Sequence, residues 1–463
     1  MILYIDITQL EKQRVNTGIQ RVVKEFLNNI LKNSNFICNI IIYNKTKEKY
    51  QLLLQDEVIL FLEDIKKYKF KSKKYIDIES IRPTKLTIFY DIDSPWHAAY
   101  NRAKLYPILH RNNIKIFHFL HDMIPIVVPQ YVQEATINNF IPFMKLVYKY
   151  SDMVIYNSIA SQNDFLKYKK VYNIKRNILV KVAGLGSDFF IQNTKQIDKK
   201  YIDIINRKYI LFVGTLEPRK NQKDILAAFD ELSKKYQDLN LIFIGMKGWN
   251  IDDLIHNIQN NTLYNKRLYW LQNIDDDLLY YFYKNAFIVT YLSKYEGYGL
   301  PIVEALQHGN ITITSNNSSM PEVGGDFVDY VDNNAPKQLI NIISKYYDDI
   351  HLYNNKKKYI KQNFKPLTWK QYSNNIFDIF YSYKKEQEKM NLKQIIKSIP
   401  VLGWLSRWGY NLIRLNNLKH MVYQQQQQIK KQQKQIDQLI SQNSKLKLFD
   451  TKQSMQIYKD IVK

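Results

Sequence analysis

Two glutamates eight positions apart, Glu296 and Glu304, are the residue pair in this sequence best suited to chemistry. The segment Gly-Tyr-Gly-Leu-Pro-Ile-Val lies between them. Glycosidases use paired carboxylates as acid and nucleophile or base. The same spacing also allows a simpler interpretation, in which one glutamate stabilises a helix start and the other is solvated.

The elements around the two glutamates place them at a sheet edge. The apolar run 286–292 predicts a buried parallel strand, and residues 304–309 predict a short helix that ends at Gly309. Glu296 is therefore expected at the carboxyl end of a strand, and Glu304 near the start of a helix. In open α/β sheets this edge binds ligands, and a helix start offers amide groups to an anion.

A second chemical feature follows the predicted strand that ends at Val213. Arg219 and Lys220 stand in the loop before a helix predicted over 222–234. Two cations and free amide groups at such a place can hold a diphosphate without a metal ion. Taken alone, an Arg-Lys pair near a turn is more often a pair of surface cations. The nearby Glu296–Glu304 motif makes phosphate binding the favoured interpretation of this pair. A phosphate-holding loop in turn argues against a glycosidase.

These segments together resemble the retaining glycosyltransferases of family 4, the glycosyl transferases group 1, which have the two-domain GT-B fold. The segment 296–304 resembles the E-x7-E element of that family, and Lys220 matches the lysine of its phosphate loop. In the family an arginine usually follows the first glycine of this loop. Here Thr215 stands in its place, and Arg219 is the expected substitute.

The resemblance implies roles for the residues of the carboxylate motif. Glu296 would bind the hydroxyls of the donor sugar, and Glu304 would bind the ribose hydroxyls. The backbone amides of Gly299 and Leu300 would face donor oxygens. The cations of the phosphate loop would stabilise the negative charge that develops on the leaving diphosphate.

The N-terminal half contributes two more candidates. The segment 16–24 resembles the family's first glycine loop, and Gly18 is the candidate because only a residue without Cβ permits close approach of a phosphate. An ordinary turn before a helix explains the same residues. His121, at the end of the strand predicted over 114–120, resembles the cleft-floor histidine that would contact the transferred sugar. A hydrogen-bonded strand-end histidine is the alternative, and His118 is expected to be structural.

Strands alternate with helices in two blocks, which predicts βαβ units and parallel sheets. We expect an α/β fold of GT-B architecture, with two Rossmann-like domains that face a cleft and a C-terminal helical tail. The expected parts are an N-terminal acceptor-side domain over 1–191, a linker over 192–206, a C-terminal nucleotide-sugar-binding domain over 207–365, a helix over 366–386 that crosses back to the first domain, and a basic amphipathic and coiled-coil tail over 387–463.

The tail carries two patterns. The segment 395–408 mixes Trp404, Trp408 and aliphatic residues with cations, which suits an anionic membrane surface. Packing on the protein's own surface is the alternative. A weak heptad seam from Leu415 to Leu446 predicts a short coiled coil with a second copy or an assembly partner, against a lone helix.

Composition narrows the function classes. The net charge of +24 would suit nucleic acid, but the lysines are scattered and no nucleic-acid motif accompanies them, so no nucleic-acid partner is expected. The single cysteine, Cys38, excludes an intramolecular disulfide and a multi-cysteine metal site. We expect neither an export signal nor a membrane-spanning helix. These features predict a cytoplasmic protein, with peripheral attachment at the inner face of the plasma membrane through the tail.

The sequence predicts a retaining, metal-independent glycosyltransferase, similar to bacterial surface-polysaccharide mannosyltransferases. It would move a hexose, with mannose favoured, from a nucleotide-diphosphate sugar such as GDP-mannose to a growing surface polysaccharide or a lipid-linked glycan. No cofactor is expected. No metal is expected either, because the acidic run 275–277 is best interpreted as the first turn of a helix. The alternative is a noncatalytic GT-B scaffold that acts through its coiled-coil tail in a glycan-assembly complex.

Overall fold

Two β-sheets within residues 1–381 form the framework that positions the candidate residues. The structure is a computed structural model, and it describes residues 1–14, 17–33, 36–97, 101–188 and 197–398, with 391–398 described by backbone alone. Contacts divide the chain into two compact units, residues 1–381 and residues 382–463. The fold and the candidate site belong to the first unit.

The first sheet has eight strands. They are β1 Ile2–Asp6, β2 Ile37–Asn44, β3 Lys49–Leu52, β4 Tyr75–Ile76, β5 Thr87–Asp91, β6 Lys115–Leu120, β7 Met153–Tyr156 and β8 Leu179–Val182. Their order is β4-β3-β2-β1-β5-β6-β7-β8. β3 pairs antiparallel with β2 and β4, and the other neighbours are parallel.

The antiparallel edge is an addition to the predicted parallel sheet. Only residues 45–48 connect β2 to β3, and a connection this short cannot cross over to a parallel neighbour. Glu48 takes a positive φ of 51° in that turn. The five strands that the sequence predicts in this half are confirmed, with small shifts at their ends.

The second sheet has six parallel strands. They are β9 Lys208–Val213, β10 Leu239–Ile244, β11 Leu268–Leu271, β12 Ile288–Tyr291, β13 Ile311–Ser315 and β14 Asp329–Val331. The order β11-β10-β9-β12-β13-β14 reverses between β9 and β12. This sheet therefore has the topological switch point at whose carboxyl edge doubly wound folds bind ligands. The sequence predicts all of these strands except β14, whose three residues are too few to show a pattern.

The helices that connect and cover the strands complete the fold. They are α1 Thr8–Gln13, α2 Gly18–Ile30, α3 Gln55–Glu63, α4 Arg102–Arg111, α5 Ile124–Val127, α6 Glu134–Tyr150, α7 Ile159–Val171, α8 Lys199–Ile205, α9 Gln222–Lys235, α10 Asp252–Gln259, α11 Asp276–Asn285, α12 Leu300–Gln307, α13 Met320–Gly324, α14 Pro336–Asp348, α15 Ile350–Asn363 and α16 Trp369–Ser398. The range predicted as a linker contains α8. Within the first unit, Phe380 of α16 packs against Tyr90 and Phe117 of the first sheet, with ring centroids 5.1 and 5.5 Å apart.

Helix α12 corrects the placement of the second glutamate. The helix begins at Leu300, so Glu304 lies in its middle rather than near its start. Gly299, with a φ of 102°, supplies the left-handed residue before the helix. Pro301 is tolerated in the first turn because the N–H that it lacks has no intrahelical partner there.

The predicted membrane segment and coiled coil fall almost wholly on residues from 399 onward, outside the described residues, and both stay predictions. None of the helices in the described part of the chain combines the length and the apolar character that spanning a bilayer demands.

Candidate functional site

Glu296 is buried between two cations. Its Oε1 accepts a hydrogen bond from Nζ of Lys220 at 2.6 Å and lies 2.7 Å from Nη1 of Arg219. The hydroxyl of Tyr291 donates to the same oxygen at 3.1 Å. The cations follow β9 and the glutamate follows β12. The switch point of the second sheet therefore brings these side chains together.

The surrounding charges keep Glu296 ionised. Burial alone would raise the pKa of this carboxyl, but the Arg219 and Lys220 cations lower that pKa to about 2. Burial lowers the pKa of Lys220, and Glu296 opposes that shift. Glu217 binds Arg219 through its other nitrogen, and the two glutamates raise the guanidinium pKa against the effect of burial. A ligand with acidic oxygens can compete with these carboxylates for the two cations.

Two serines that follow β13 hold the backbone around Glu296. The amide of Glu296 donates to Oγ of Ser318 at 2.9 Å. Oγ of Ser319 donates to the carbonyls of Glu296 and Tyr298, at 3.0 and 2.9 Å. These bonds fix the loop between β12 and α12, so the carboxylate is positioned before any ligand binds.

Gly297 lies at a close contact between the two sheet domains, the first around strands β1–β8 and the second around strands β9–β14. A Cβ at this position would lie 2.4 Å from the carbonyl oxygen of His121 and 2.7 Å from Cβ of Asp122. Real side chains do not approach so closely, so the contact requires glycine. Oγ of Ser158 also donates to the Gly297 carbonyl at 2.6 Å. Sequence reasoning missed this residue, although a glycine directly after a candidate glutamate signals a close approach.

His121 is thereby placed beside the loop that carries Glu296. Its Nε2 lies 3.1 Å from the carbonyl of Ile92. Because a carbonyl only accepts, Nε2 carries the proton and Nδ1 is left as an acceptor. Burial lowers the pKa of His121 to about 4, so the ring is neutral at pH 7. The strand-end hydrogen bond of the alternative interpretation is present, and the contact with the sugar stays a prediction.

His118 has the structural role expected of it. The ring is fully buried, and its two nitrogens lie 2.8 Å from the hydroxyl of Tyr106 and 2.9 Å from Oγ of Ser151. Burial lowers its pKa to about 3.

Glu304 belongs to a second cluster, which crosses between the sheet domains. Its Oε1 lies 2.7 Å from Nη1 of Arg21 on α2, and its Oε2 accepts from the hydroxyl of Tyr283 at 2.9 Å. Sequence reasoning missed Arg21 and Tyr283 because no local pattern distinguishes them from other surface or core residues. The role predicted for Glu304 toward ribose stays a prediction.

Gly18 and Leu300 face each other at the starts of α2 and α12. A Cβ built on Gly18 would lie 3.9 Å from Cδ1 of Leu300, which is ordinary van der Waals contact. The described structure thus leaves room for a methyl group at Gly18. The approach of a donor phosphate to this residue, and the contacts predicted for the Gly299 and Leu300 amides, stay predictions.

The described side chains offer little to a metal ion. His, Cys, Asp and Glu residues in these ranges form no group of three or more that could hold one. The acidic run 275–277 begins α11, where Asp275 accepts a hydrogen bond from the amide of Leu278 at 2.9 Å. Its interpretation as a helix start is confirmed. Metal independence of the reaction stays a prediction.

Comparison with known proteins adds to this geometry. The family model described as glycosyl transferases group 1 matches residues 193–363. The serotype-specific mannosyltransferase WbdA of Escherichia coli is 26% identical over 380 residues, which are 80% of this chain and 45% of the relative. The O-antigen chain mannosyltransferase B of E. coli is 29% identical over 217 residues, 44% of this chain and 54% of the relative. This chain spans between about a third and about half of the length of the curated relatives it matches.

A solved structure shares the fold. The crystal structure of HepE from Anabaena, in complex with UDP and glucose, aligns with a TM-score of 0.53 and 15% identity. The alignment covers 82% of this chain and 99% of that protein. A likeness at this level of identity concerns the fold, and the predicted GT-B architecture of two Rossmann-like domains is confirmed.

Proposed function

We propose that this chain, whose residues 193–363 match the family model of the glycosyl transferases group 1, is a glycosyltransferase that moves a hexose from a nucleoside-diphosphate sugar to a glycan. The observation that carries the proposal is the buried contact of Glu296 with both Arg219 and Lys220. The names of the two E. coli relatives support mannose as the sugar, and the O-antigen in one of the names supports a surface polysaccharide as the acceptor. GDP-mannose as the donor and a lipid-linked glycan as an alternative acceptor are further parts of the proposal.

Donor binding would rearrange the buried charges. The diphosphate would take over hydrogen bonds that Arg219 and Lys220 now make with Glu296, since charge-assisted bonds to phosphate oxygens are strong. The released carboxylate would accept hydrogen bonds from the hydroxyls of the donor sugar. The site would thus hold the sugar and the leaving group through one connected set of side chains.

In the transfer step the bond between C1 of the sugar and the diphosphate oxygen breaks, and the diphosphate leaves with the electron pair. Arg219 and Lys220 would stabilise the charge that develops on it, a large contribution in such preorganised sites. The acceptor hydroxyl forms the new bond to C1 from the face that the diphosphate leaves, which retains the anomeric configuration. Its proton passes to a diphosphate oxygen.

Neutral His121 suits a supporting role in this step. Its unprotonated Nδ1 can accept a hydrogen bond from a sugar hydroxyl. Because the ring is uncharged, Arg219 and Lys220 would stabilise the charge on the leaving diphosphate without it. Glu304, which lies between Arg21 and Tyr283, would accept hydrogen bonds from the ribose hydroxyls. We also propose that no metal ion and no cofactor take part, because Arg219 and Lys220 would supply two cations to neutralise the diphosphate.

The tail completes the proposal outside the described residues. We propose a cytoplasmic protein whose segment 395–408 attaches to an anionic membrane surface and whose heptads pair with a second copy or an assembly partner.

The noncatalytic scaffold is less well supported. Glu296 and Arg219 are buried as charged groups next to Lys220, and desolvation of such groups costs folding free energy. A scaffold that acts only through its tail gives no reason to keep them.

A thermal-shift experiment on the full chain tests the proposed site. The Tm of three proteins is measured with and without GDP-mannose, UDP-glucose and ADP-glucose. The proteins are wild type, Lys220→Ala and Lys234→Ala, the last an exposed control on α9. We expect one donor to raise the Tm of wild type and of Lys234→Ala, and to leave that of Lys220→Ala unchanged. Absence of any shift in wild type, or equal shifts in all three proteins, would contradict the proposal.

A further inference from the structure

A separate cavity opens beside the Arg219 loop. It has a volume of about 490 Å³ and lies between the start of α9, the helix α10 and the 3₁₀ turn Pro129–Tyr131. We call it the α9–α10 cavity, and the lining residues used below are Tyr131, Glu217, Lys223, Asp253, Asn257 and Lys294. Its volume falls in the range of small-molecule sites, about 300 to 1,000 Å³.

The walls of this cavity are rich in planar polar groups. Asp253 and Asn257 stand one helical turn apart on α10, so both side chains project from one face of that helix, and both are exposed. These polar side chains can exchange hydrogen bonds with the hydroxyl groups of a ligand.

One aromatic ring closes the cavity from the first sheet domain. The carbonyl of Tyr131 accepts a hydrogen bond from the indole of Trp249 at 3.2 Å, which ties this turn to the second domain. Nζ of Lys294 lies 5.4 Å from the centre of the Tyr131 ring. An apolar ring body next to amides, carboxylates and an ammonium group matches the mixed surface of a sugar, which has hydroxyl edges and C–H faces.

The cavity is next to the reaction centre. Glu217 binds Arg219 through its carboxylate, and the amide of Lys294 donates to the Arg219 carbonyl at 2.7 Å. Arg219 in turn contacts Glu296. The cavity is therefore one side chain away from the glutamate that would hold the donor sugar. Most of its walls belong to the second sheet domain, namely α9, α10, Glu217 and Lys294, and Tyr131 is the contribution of the first domain. Glu304 instead contacts Arg21 of α2 and Tyr283 of α11.

We propose that the α9–α10 cavity binds neutral hexose residues of the acceptor glycan, an inference that rests on the proposed function. The walls carry the carboxylates of Glu217 and Asp253 and the ammonium groups of Lys223 and Lys294, so neither sign of charge dominates. This balance suits an uncharged ligand better than a phosphate or a second nucleotide. Asp253 and Asn257 bind acceptor hydroxyls and so act on acceptor affinity, while donor binding depends on the Arg219–Lys220 side.

The test uses the full chain with Asp253→Ala, Asn257→Ala and the control Gln259→Ala, an exposed position of the same helix away from the cavity. Binding of α-linked mannotriose is measured by calorimetry, and its KM as acceptor by product formation. The two cavity variants should weaken mannotriose binding and raise that KM by roughly tenfold, the effect of losing one or two hydrogen bonds. Their KM for the donor, and their rate of donor hydrolysis, should match those of wild type and Gln259→Ala.

The outcomes separate this inference from the proposed function. A wild type that neither binds nor hydrolyses any donor contradicts the proposed function, and mannotriose binding that the cavity variants weaken still supports the cavity as a sugar site. A wild type that transfers sugar while both cavity variants keep its mannotriose affinity and acceptor KM overturns the cavity alone. Failure of wild type to bind mannotriose overturns it as well.

Discussion

The guanidinium of Arg21 lies 2.7 Å from the carboxylate of Glu304, and this ion pair joins α2 of the first sheet domain to α12 of the second. Tyr283 donates to the other carboxylate oxygen at 2.9 Å. The pair thus determines where the Glu304 carboxylate lies, and it links the two domains across 283 positions of sequence.

Loss of Arg21 should destabilise the fold, because it removes the ion pair that holds the Glu304 carboxylate. Among the described residues, Arg21→Ala leaves the buried carboxylate with the hydroxyl of Tyr283 as its partner, so the free energy of unfolding should fall by about 1 to 3 kcal/mol. Denaturant unfolding of Arg21→Ala, Glu304→Gln and the double variant measures the coupling between the two residues. Single effects that add up in the double variant would show that the ion pair contributes no stability.

Gly18→Ala should separate donor binding from folding. The added methyl meets only ordinary contact with Leu300, so the Tm should stay the same or rise slightly, since alanine reduces the entropy of the unfolded chain. A donor phosphate at the Gly18 amide would meet that methyl, and the Kd of the donor should rise. Gly297→Ala is the contrasting variant, and its Tm should fall because its Cβ would collide with the His121 carbonyl. Unchanged donor affinity in Gly18→Ala would refute the close approach.

His121 should make the fold sensitive to acid. Its pKa is lowered by burial from 6.5 to about 4, so the folded protein binds this proton less readily than the unfolded chain does. The stability that results is fully present above pH 6.5 and is lost as the pH falls through about 4. Between pH 7 and pH 4, wild type should lose up to about 3 kcal/mol relative to His121→Asn. The free energy of unfolding of both proteins is measured with denaturant at each pH. An equal loss in wild type and His121→Asn would contradict a neutral, buried ring.

Chelation tests how the diphosphate is neutralised. If Arg219 and Lys220 hold it, as their contacts with Glu296 suggest, EDTA should leave the transfer rate nearly unchanged. The assay is product formation before and after chelation, followed by addition of Mg²⁺ or Mn²⁺. A rate that collapses with EDTA and recovers with either ion would require a metal site instead.

The sequence predicts most of the second sheet because its strands are short apolar runs separated by amphipathic helices. It also predicts that Glu296, Arg219 and Lys220 share a site, since all three follow strands that end at one sheet edge. The predicted start of α12 is wrong, because a positive φ at Gly299 allows the helix to begin earlier than its apolar pattern indicates.

Contacts between the domains could not be predicted in the same way. The pairing of Arg21 with Glu304 and the contact of Gly297 with His121 depend on how two separately formed sheets meet. Local propensity and periodicity carry no information on that placement. The hairpin of β2 and β3 escaped prediction because its short apolar segments lack the helix that usually separates parallel strands.

The most direct test of the central claim compares hexose transfer by wild type, Glu296→Gln and the exposed control Glu231→Gln. Transfer from GDP-mannose, UDP-glucose and ADP-glucose to mannotriose is measured by mass spectrometry, together with the Kd of the corresponding nucleoside diphosphate. We predict that wild type and Glu231→Gln transfer hexose from one donor, and that Glu296→Gln still binds the diphosphate but loses roughly a hundredfold or more of the rate. Wild-type rates in Glu296→Gln, or a wild type that transfers from none of the donors, would contradict the account.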